Sequence, residues 1–253
     1  MPVDPRTPVL VGVDQFTERI DDPDYRGMSA VDLATAAVRE ALADTGVTGV
    51  AQAVDTVFGL RQFELSGSMP PALGKSNNYP RSVMNRLGGN PARVVLEPVG
   101  GQGPQKLVTE AGTAIAAGEA DVVLIMGSEP GSTARYFATR DDKPDFTEHV
   151  EGQLEDRGHQ IFSYNDYTIQ HGLTGAPVQY GLLENARCAR LGHGVADYRR
   201  EMAELFAPMS KVAAKNPFSS SPLERTVDEI STVTDDNRMI CDPYPRLLVA
   251  GIR

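Results

Sequence analysis

The 253-residue chain is poor in three things, and each shortage excludes a class of function. It has only two cysteines, Cys188 and Cys241, far apart in sequence. That is no disulfide framework, and the spacing fits no zinc motif. It has no apolar run long enough to span a membrane, and "MPVDPRTPVL" at the start offers neither a basic leader nor an apolar signal core. The expectation is a soluble, cytoplasmic protein. It also lacks a basic excess. The net charge is −10, which disfavours sequence-independent nucleic-acid binding. A local Arg or Lys cluster could still hold the phosphates of a coenzyme A ligand.

What is present is a globular composition, 41% hydrophobic and 23% charged, which argues against disorder. The length suits one large core or two modest domains. Short apolar runs at 8–16, 54–60, 92–99 and 121–129 read as buried strands. Between them, helical spacing appears at 29–46, 80–89 and 103–120. Ser29 is placed to cap the first of these helices and Gly46 to follow it. Pro104 sits near the start of the last, where its missing N–H costs little. Alternating strands and helices predict an α/β fold, a parallel sheet with helices on both faces. After Glu129 the pattern changes. Residues 130–168 lack a clean period, and amphipathic helices follow at 177–192 and 195–215, the second with an apolar stripe of Tyr198, Met202, Leu205 and Phe206. A loop and a short acidic helix close 216–230. The stretch from about 130 to 245 therefore reads as a mainly helical insertion on an α/β core.

The turn "LEPVGGQGPQ" at 96–105 carries most of the functional information. A phosphate-binding P-loop fails, because Lys106 follows Gln105 and precedes Leu107. A dinucleotide fingerprint fails too, because Lys106 stands where the third glycine is needed and the turn is not the first in the fold. Glycines there also serve a plain sharp turn into a helix. That reading does not explain why two glycines and Gln102 crowd a turn before a helix whose free N–H groups form an anion site.

The order of segments resembles the N-terminal half of thiolases, especially the thiolase-like acetyl-CoA acetyltransferases allied to the sterol-carrier-protein type. "RTPVLVGVDQF" is similar to their opening strand and "MSAVDLATAAVREALADTG" to their first helix. "GGQGPQKLVTEAGTAIAAGEADVVLIMGSE" is similar to their nucleophile turn, buried helix and fourth strand. "HGLTGAPVQYGLLENARCA" and "DNRMICDPYPRLL" resemble parts of the loop domain. The resemblance covers nearly the whole chain. It implies domains at 1–129 (α/β core), 130–245 (helical loop-domain insertion) and 246–253 (lead-in to a missing remainder), with sheet order 92–99, 54–60, 8–16, 121–128. It implies a buried helix at 103–118, through Leu107, Val108, Ala111, Ala114 and Ile115.

The resemblance also implies acyl-CoA as ligand or substrate, in lipid metabolism, with no further cofactor and no metal. The chemistry would be acyl transfer, or carbon–carbon bond formation and cleavage beside a thioester carbonyl. In a thiolase the turn carries a Cys that takes the acyl group. Here the matching position is Gly100, or Gly101 after a slip of one, so no catalytic residue is assigned. Cys188 and Cys241 are expected to be ordinary thiols. Gly100, Gly101 and Gln102 remain as substrate-binding candidates, with backbone N–H groups of Gly101 and Gln102 placed to hold a thioester oxyanion. Glu129, at a strand's carboxyl edge, and His171, in the loop-domain segment, join them, each against a structural alternative. His149 and His159 are expected to be solvated, and His193 to cap a turn or face water. Arg135 and Arg140 are possible phosphate contacts.

The family's second half, with its catalytic His, Gly-His-Pro segment and second Cys, has no match here. The expectation is therefore a truncated, split or degraded thiolase, or one subunit of a two-chain version, inactive alone. It would form a homodimer through 92–99, or a hetero-oligomer with a chain supplying the C-terminal half. The alternative is a non-catalytic acyl-CoA-binding or scaffold subunit.

Overall fold

Helix α1 (Ala30–Asp44) begins where Ser29 Oγ accepts from the Asp32 N–H at 3.1 Å, and Gly46 leaves its end at a φ of 68°. The computed structural model describes residues 4, 6–63, 71–159 and 165–250. Along the chain follow α2 (Val50–Ala53), β1 (Thr56–Leu60), α3 (Tyr79–Arg86), β2 (Arg93–Glu97), α4 (Gly103–Ala117), β3 (Val123–Met126), α5 (Gly131–Phe137) and β4 (Glu155–Asp156). Then come α6 (Asp166–Gln170), α7 (Ala176–Leu191), α8 (Val195–Ala213), α9 (Val227–Ser231), β5 (Met239–Cys241), β6 (Tyr244–Pro245) and α10 (Arg246–Ala250). The chain divides into two compact units, Met1–Ile161 and Phe162–Arg253. Residues 130–161, which the sequence groups with the insertion, thus lie in the first unit. Residues 251–253 of the expected lead-in fall outside the described residues, and 246–250 form α10.

The first unit is built on a parallel sheet of order β3-β1-β2-β4. Its central strands β1 and β2 are buried on both faces, as in a parallel sheet covered by helices. Val57, Val94, Leu96 and Met126 face Val31, Ala34 and Val38 of α1 and Tyr79, Val83 and Met84 of α3. Phe58 and Val95 face Leu107 and Ala111 of α4 on the other side. The α/β class and the two helical layers follow the sequence expectation.

The segment 8–16 does not. It forms no strand, and Leu10 is 83% exposed. The place expected for it, between β1 and β3, does not exist, because those strands pair directly from Thr56↔Val123 to Gly59↔Met126. The segment instead lies along α1. The Val13 N–H donates to Asp44 Oδ2 at 2.9 Å, and a Cβ on Gly12 would stand 2.3 Å from the Ala41 carbonyl oxygen. An apolar run tells that a segment can extend; which backbone it pairs with is a non-local matter.

Helix α4 is buried along one stripe only, Gly103, Leu107, Ala111 and Ala114. Val108 is off that stripe and 54% exposed, which corrects the expectation of an all-round buried helix. In this unit α2, α5 and β4 were not foreseen. The short β4 pairs with Val95 and Leu96 on the outer edge of β2, so a homodimer through 92–99 would have to displace it. At the other edge lies β3, with Val123, Leu124 and Ile125 partly exposed.

The second unit packs Tyr198, Met202, Ala203 and Ala207 of α8 against Cys188, Ile230, Tyr244 and Leu248. Leu205 departs from the expected stripe and is 60% exposed. A clamp at Asn237 ties the end of the unit together. Its Nδ2 donates to the carbonyls of Glu229, Ile230 and Thr232 at 2.8–3.0 Å, and its Oδ1 accepts from the Leu247 N–H at 2.8 Å.

Candidate functional site

The carboxyl ends of β1, β2 and β3 lead into three short segments, and ligands of open α/β sheets gather at such edges. After β1 come Arg61, Gln62 and Phe63. After β2 come Pro98, Val99 and the turn Gly100–Gln102. After β3 come Gly127, Ser128 and Glu129. Leu60 joins the last two to the end of β1. A Cβ on Gly103 would lie 2.7 Å from Leu60 Cδ2, and one on Gly127 would lie 3.4 Å from Leu60 Cβ. Glycine at both positions lets the start of α4 and the end of β3 close on the same side chain.

The turn itself is open. Gly101 and Gln102 are exposed, and a Cβ on Gly101 would meet nothing within 4 Å. Gln102 N-caps α4 without a side-chain cap bond, while the Gly103 N–H returns to the Gly100 carbonyl at 2.9 Å. The geometry leaves room for a ligand oxygen beside the amino end of a 15-residue helix and supplies no nucleophile there.

Beneath the turn lies a network of charge. The Glu97 side chain is 5% exposed and accepts from Lys106 Nζ at 2.5 Å and from Arg157 at 2.9 Å. Arg157 also reaches Glu110 at 2.7 Å and Glu155 at 2.8 Å, and Arg93 bridges Glu110 and Glu155. Hydrogen bonds from Arg157, against the cost of burial and helped by Arg93, hold the Glu110 carboxyl at about 2. The same bonds push the Arg157 guanidinium above its ordinary value, Glu110 contributing most. Buried Arg61 donates to Asp156 and to the Gly158 carbonyl, so β4 is fastened to the sheet by side chains as well as backbone.

Glu129 accepts from the Phe63 N–H with both oxygens, at 3.1 and 3.2 Å. Next to it, Ser128 Oγ donates to the Ala30 carbonyl at 2.7 Å and accepts from the Tyr79 hydroxyl at 3.0 Å. Burial drives the Tyr79 hydroxyl pKa far up; Ser128 and Gln62 oppose that and Glu129 adds to it. Tyr79 is a neutral donor, not a base.

Gly100, Gly101, Gln102 and Glu129 therefore sit at one edge of the first unit, around β1. His171 belongs to the second unit. It is exposed at the end of α6, its N–H donating to the Tyr167 carbonyl at 3.1 Å and its ring 4.3 Å from the Tyr167 ring. Both thiols are also in the second unit. Cys188 is buried and donates to the His193 carbonyl at 3.4 Å. Cys241 donates to the Pro177 carbonyl at 3.2 Å, and burial, then Asp242, raises its pKa. An activated thiol needs the opposite shift. His193 pairs with Glu201 at 3.0 Å, and Arg140 stacks over Tyr136 and pairs with Asp142 at 3.3 Å.

Sequence reasoning missed Arg61, Gln62, Tyr79 and Arg157. The first two stand directly after an apolar strand, in "TVFGLRQF", which is the one local signal that could have flagged them. Among the described residues no helix is long and apolar enough to cross a membrane.

No protein-family model matches the chain. No curated protein matches it either. Among solved structures it is similar to a monomeric SCP2-thiolase like protein type 1 from Mycobacterium smegmatis, with 53% identity and a TM-score of 0.71 over 97% of this chain. The match covers 43% of that protein, so the chain spans less than half its length. An α/β unit with a parallel sheet, an open glycine turn at a helix start and this likeness agree: the chain is a thiolase-like protein, related to the SCP2-thiolase-like proteins.

Proposed function

We propose that the chain binds acyl-CoA thioesters as a member of the thiolase-like acetyl-CoA acetyltransferase group, without forming a covalent acyl-enzyme. The thioester oxygen is held at the backbone N–H groups of Gly101 and Gln102, and the favourable end of α4 stabilises charge on it. The observation that carries this reading is the open space at Gly101 beside that helix start. With no nucleophile in the turn, an enolate-type reaction, retro-aldol or decarboxylation, suits the site better than acyl transfer through the enzyme. Its general base comes from the thiolase C-terminal half, carried on the same protein or on a partner chain.

The test is intact-mass analysis after incubation with acetyl-CoA, alongside calorimetric titration of the same chain. Binding without an acyl adduct is expected. A stable acetyl adduct mapped to Cys188 or Cys241 would refute it.

A non-catalytic subunit is the second reading, favoured by the hydrogen bonding of both thiols and the burial of Cys188. Both readings are compatible with assembly as a homodimer or with a chain that supplies the thiolase C-terminal half. Light scattering on a mixture with such a half should show a complex heavier than either component. Two unchanged masses at micromolar concentration would exclude the assembly.

A further inference from the structure

A small cavity lies in the first unit behind the Ser128–Glu129 end of β3, walled by Val31, Leu73, Ala134 and Phe146 with Gln62 and Tyr79 among its polar groups. Its volume is about 30 Å3, enough to hold a water. The hydroxyls around it are committed. Tyr79 donates to Ser128, Thr133 Oγ1 to the Met28 carbonyl at 2.9 Å, and Ser29 Oγ to Asp32 at 2.7 Å. Gln62 is the exception. The residue is 1% exposed, and among the described residues its Nε2 is buried and makes no well-formed hydrogen bond, lying near enough to the Tyr79 hydroxyl only to lower its pKa. An orphan buried donor costs about 1–3 kcal/mol, so such groups call for an occupant.

We propose that this cavity takes the carbonyl end of a short aliphatic molecule, with Gln62 Nε2 donating to the carbonyl oxygen. The walls fix the rest of the ligand as apolar, and the free donor requires that it bring an acceptor. A three-carbon ligand exceeds 30 Å3, so the outer wall must yield. Leu73 and Phe146 form it. Both are partly exposed, and the segments that carry them are tied by the backbone bonds Phe146 N–H to Leu73 O at 2.7 Å, Glu148 N–H to Lys75 O at 3.3 Å and Asn77 N–H to Glu148 O at 3.1 Å, with the Asn77 side chain also paired to the Val150 backbone. Side-chain rotation at the surface opens the space without breaking those bonds. Lys75, exposed beside the cavity, tolerates a carboxylate as well as a neutral amide. The proposal does not rest on the reading of the glycine turn, and its probes carry no thioester.

The experiment is NMR titration of the full chain with propionamide and with propionate, following the side-chain NH2 signals of Gln62, which are identified by their loss in Gln62→Leu. Both ligands should shift those signals, and Gln62→Leu should weaken both at least tenfold. Ala134→Leu keeps Gln62 but fills the cavity and should abolish binding, which separates a lost donor from a misfolded variant. No shift with either ligand overturns the proposal, as does binding that survives both substitutions.

Discussion

Phe58→Ala is expected to destabilise the first unit by about 3–5 kcal/mol. Phe58 is fully buried at the centre of β1, the strand with a neighbour on each side. Its ring packs with Val95, Leu107 and Ala111, and the Arg93 guanidinium carbon lies 5.4 Å from the ring centroid. Truncation removes the burial of the ring and leaves a cavity between sheet and α4 that paired backbones cannot collapse. The unfolding midpoint of this unit should fall by roughly 10 °C, at about 2–4 °C per kcal/mol for a unit of this size. Phe58→Leu, which keeps most of the volume, should cost much less. A change below about 1 kcal/mol for the alanine variant, read by urea unfolding, would mean that α4 does not seal this face as described.

Arg157→Met should cost about 3 kcal/mol at neutral pH, within the range for removing one partner of a buried ion pair. Arg157 is the cation shared by Glu97, Glu110 and Glu155, and Glu97 would keep only Lys106. Methionine retains most of the apolar stem, so the loss reports charge rather than packing. The sign of the pH dependence follows from Glu110. Its folded value of about 2 lies below its ordinary 4.5. The stability it contributes is present above about 4.5 and is lost as pH falls towards 2. The gap between wild type and variant should therefore be wide at pH 7 and narrow near pH 2.5. Thermal unfolding at both values decides it. Equal gaps at the two pH values would show that the network is spectator charge.

The same network shows how far the sequence could be read. Arg157 lies in a stretch with no helical or strand period, and nothing local marks it as the hub of the charge under the glycine turn. Arg93, Glu97 and Glu110 sit on β2 and α4, elements legible from their apolar spacing, yet Glu155 and Arg157 reach them only because β4 is laid along β2. Gln62 is the parallel case at the cavity. As a polar residue after a strand it reads as solvent-facing, and only the packing of α1, α3 and the 73–76 segment buries it.

By itself the sequence determined the alternation of β1, α3, β2, α4 and β3, the cap at Ser29, the two helical layers and the lack of a nucleophile at Gly100–Gln102. Those features rest on local period, on turn chemistry and on the identity of single residues, all of which are written in order along the chain. Tertiary structure alone decided that 8–16 stays out of the sheet, that β3 pairs directly with β1, that β4 closes the outer edge of β2, and that Val108 and Leu205 face outward. Each of these is a choice of partner between segments distant in sequence. Backbone hydrogen bonds carry no residue label, so the pairing is settled by which combination of faces buries most apolar surface while leaving the fewest donors unmade.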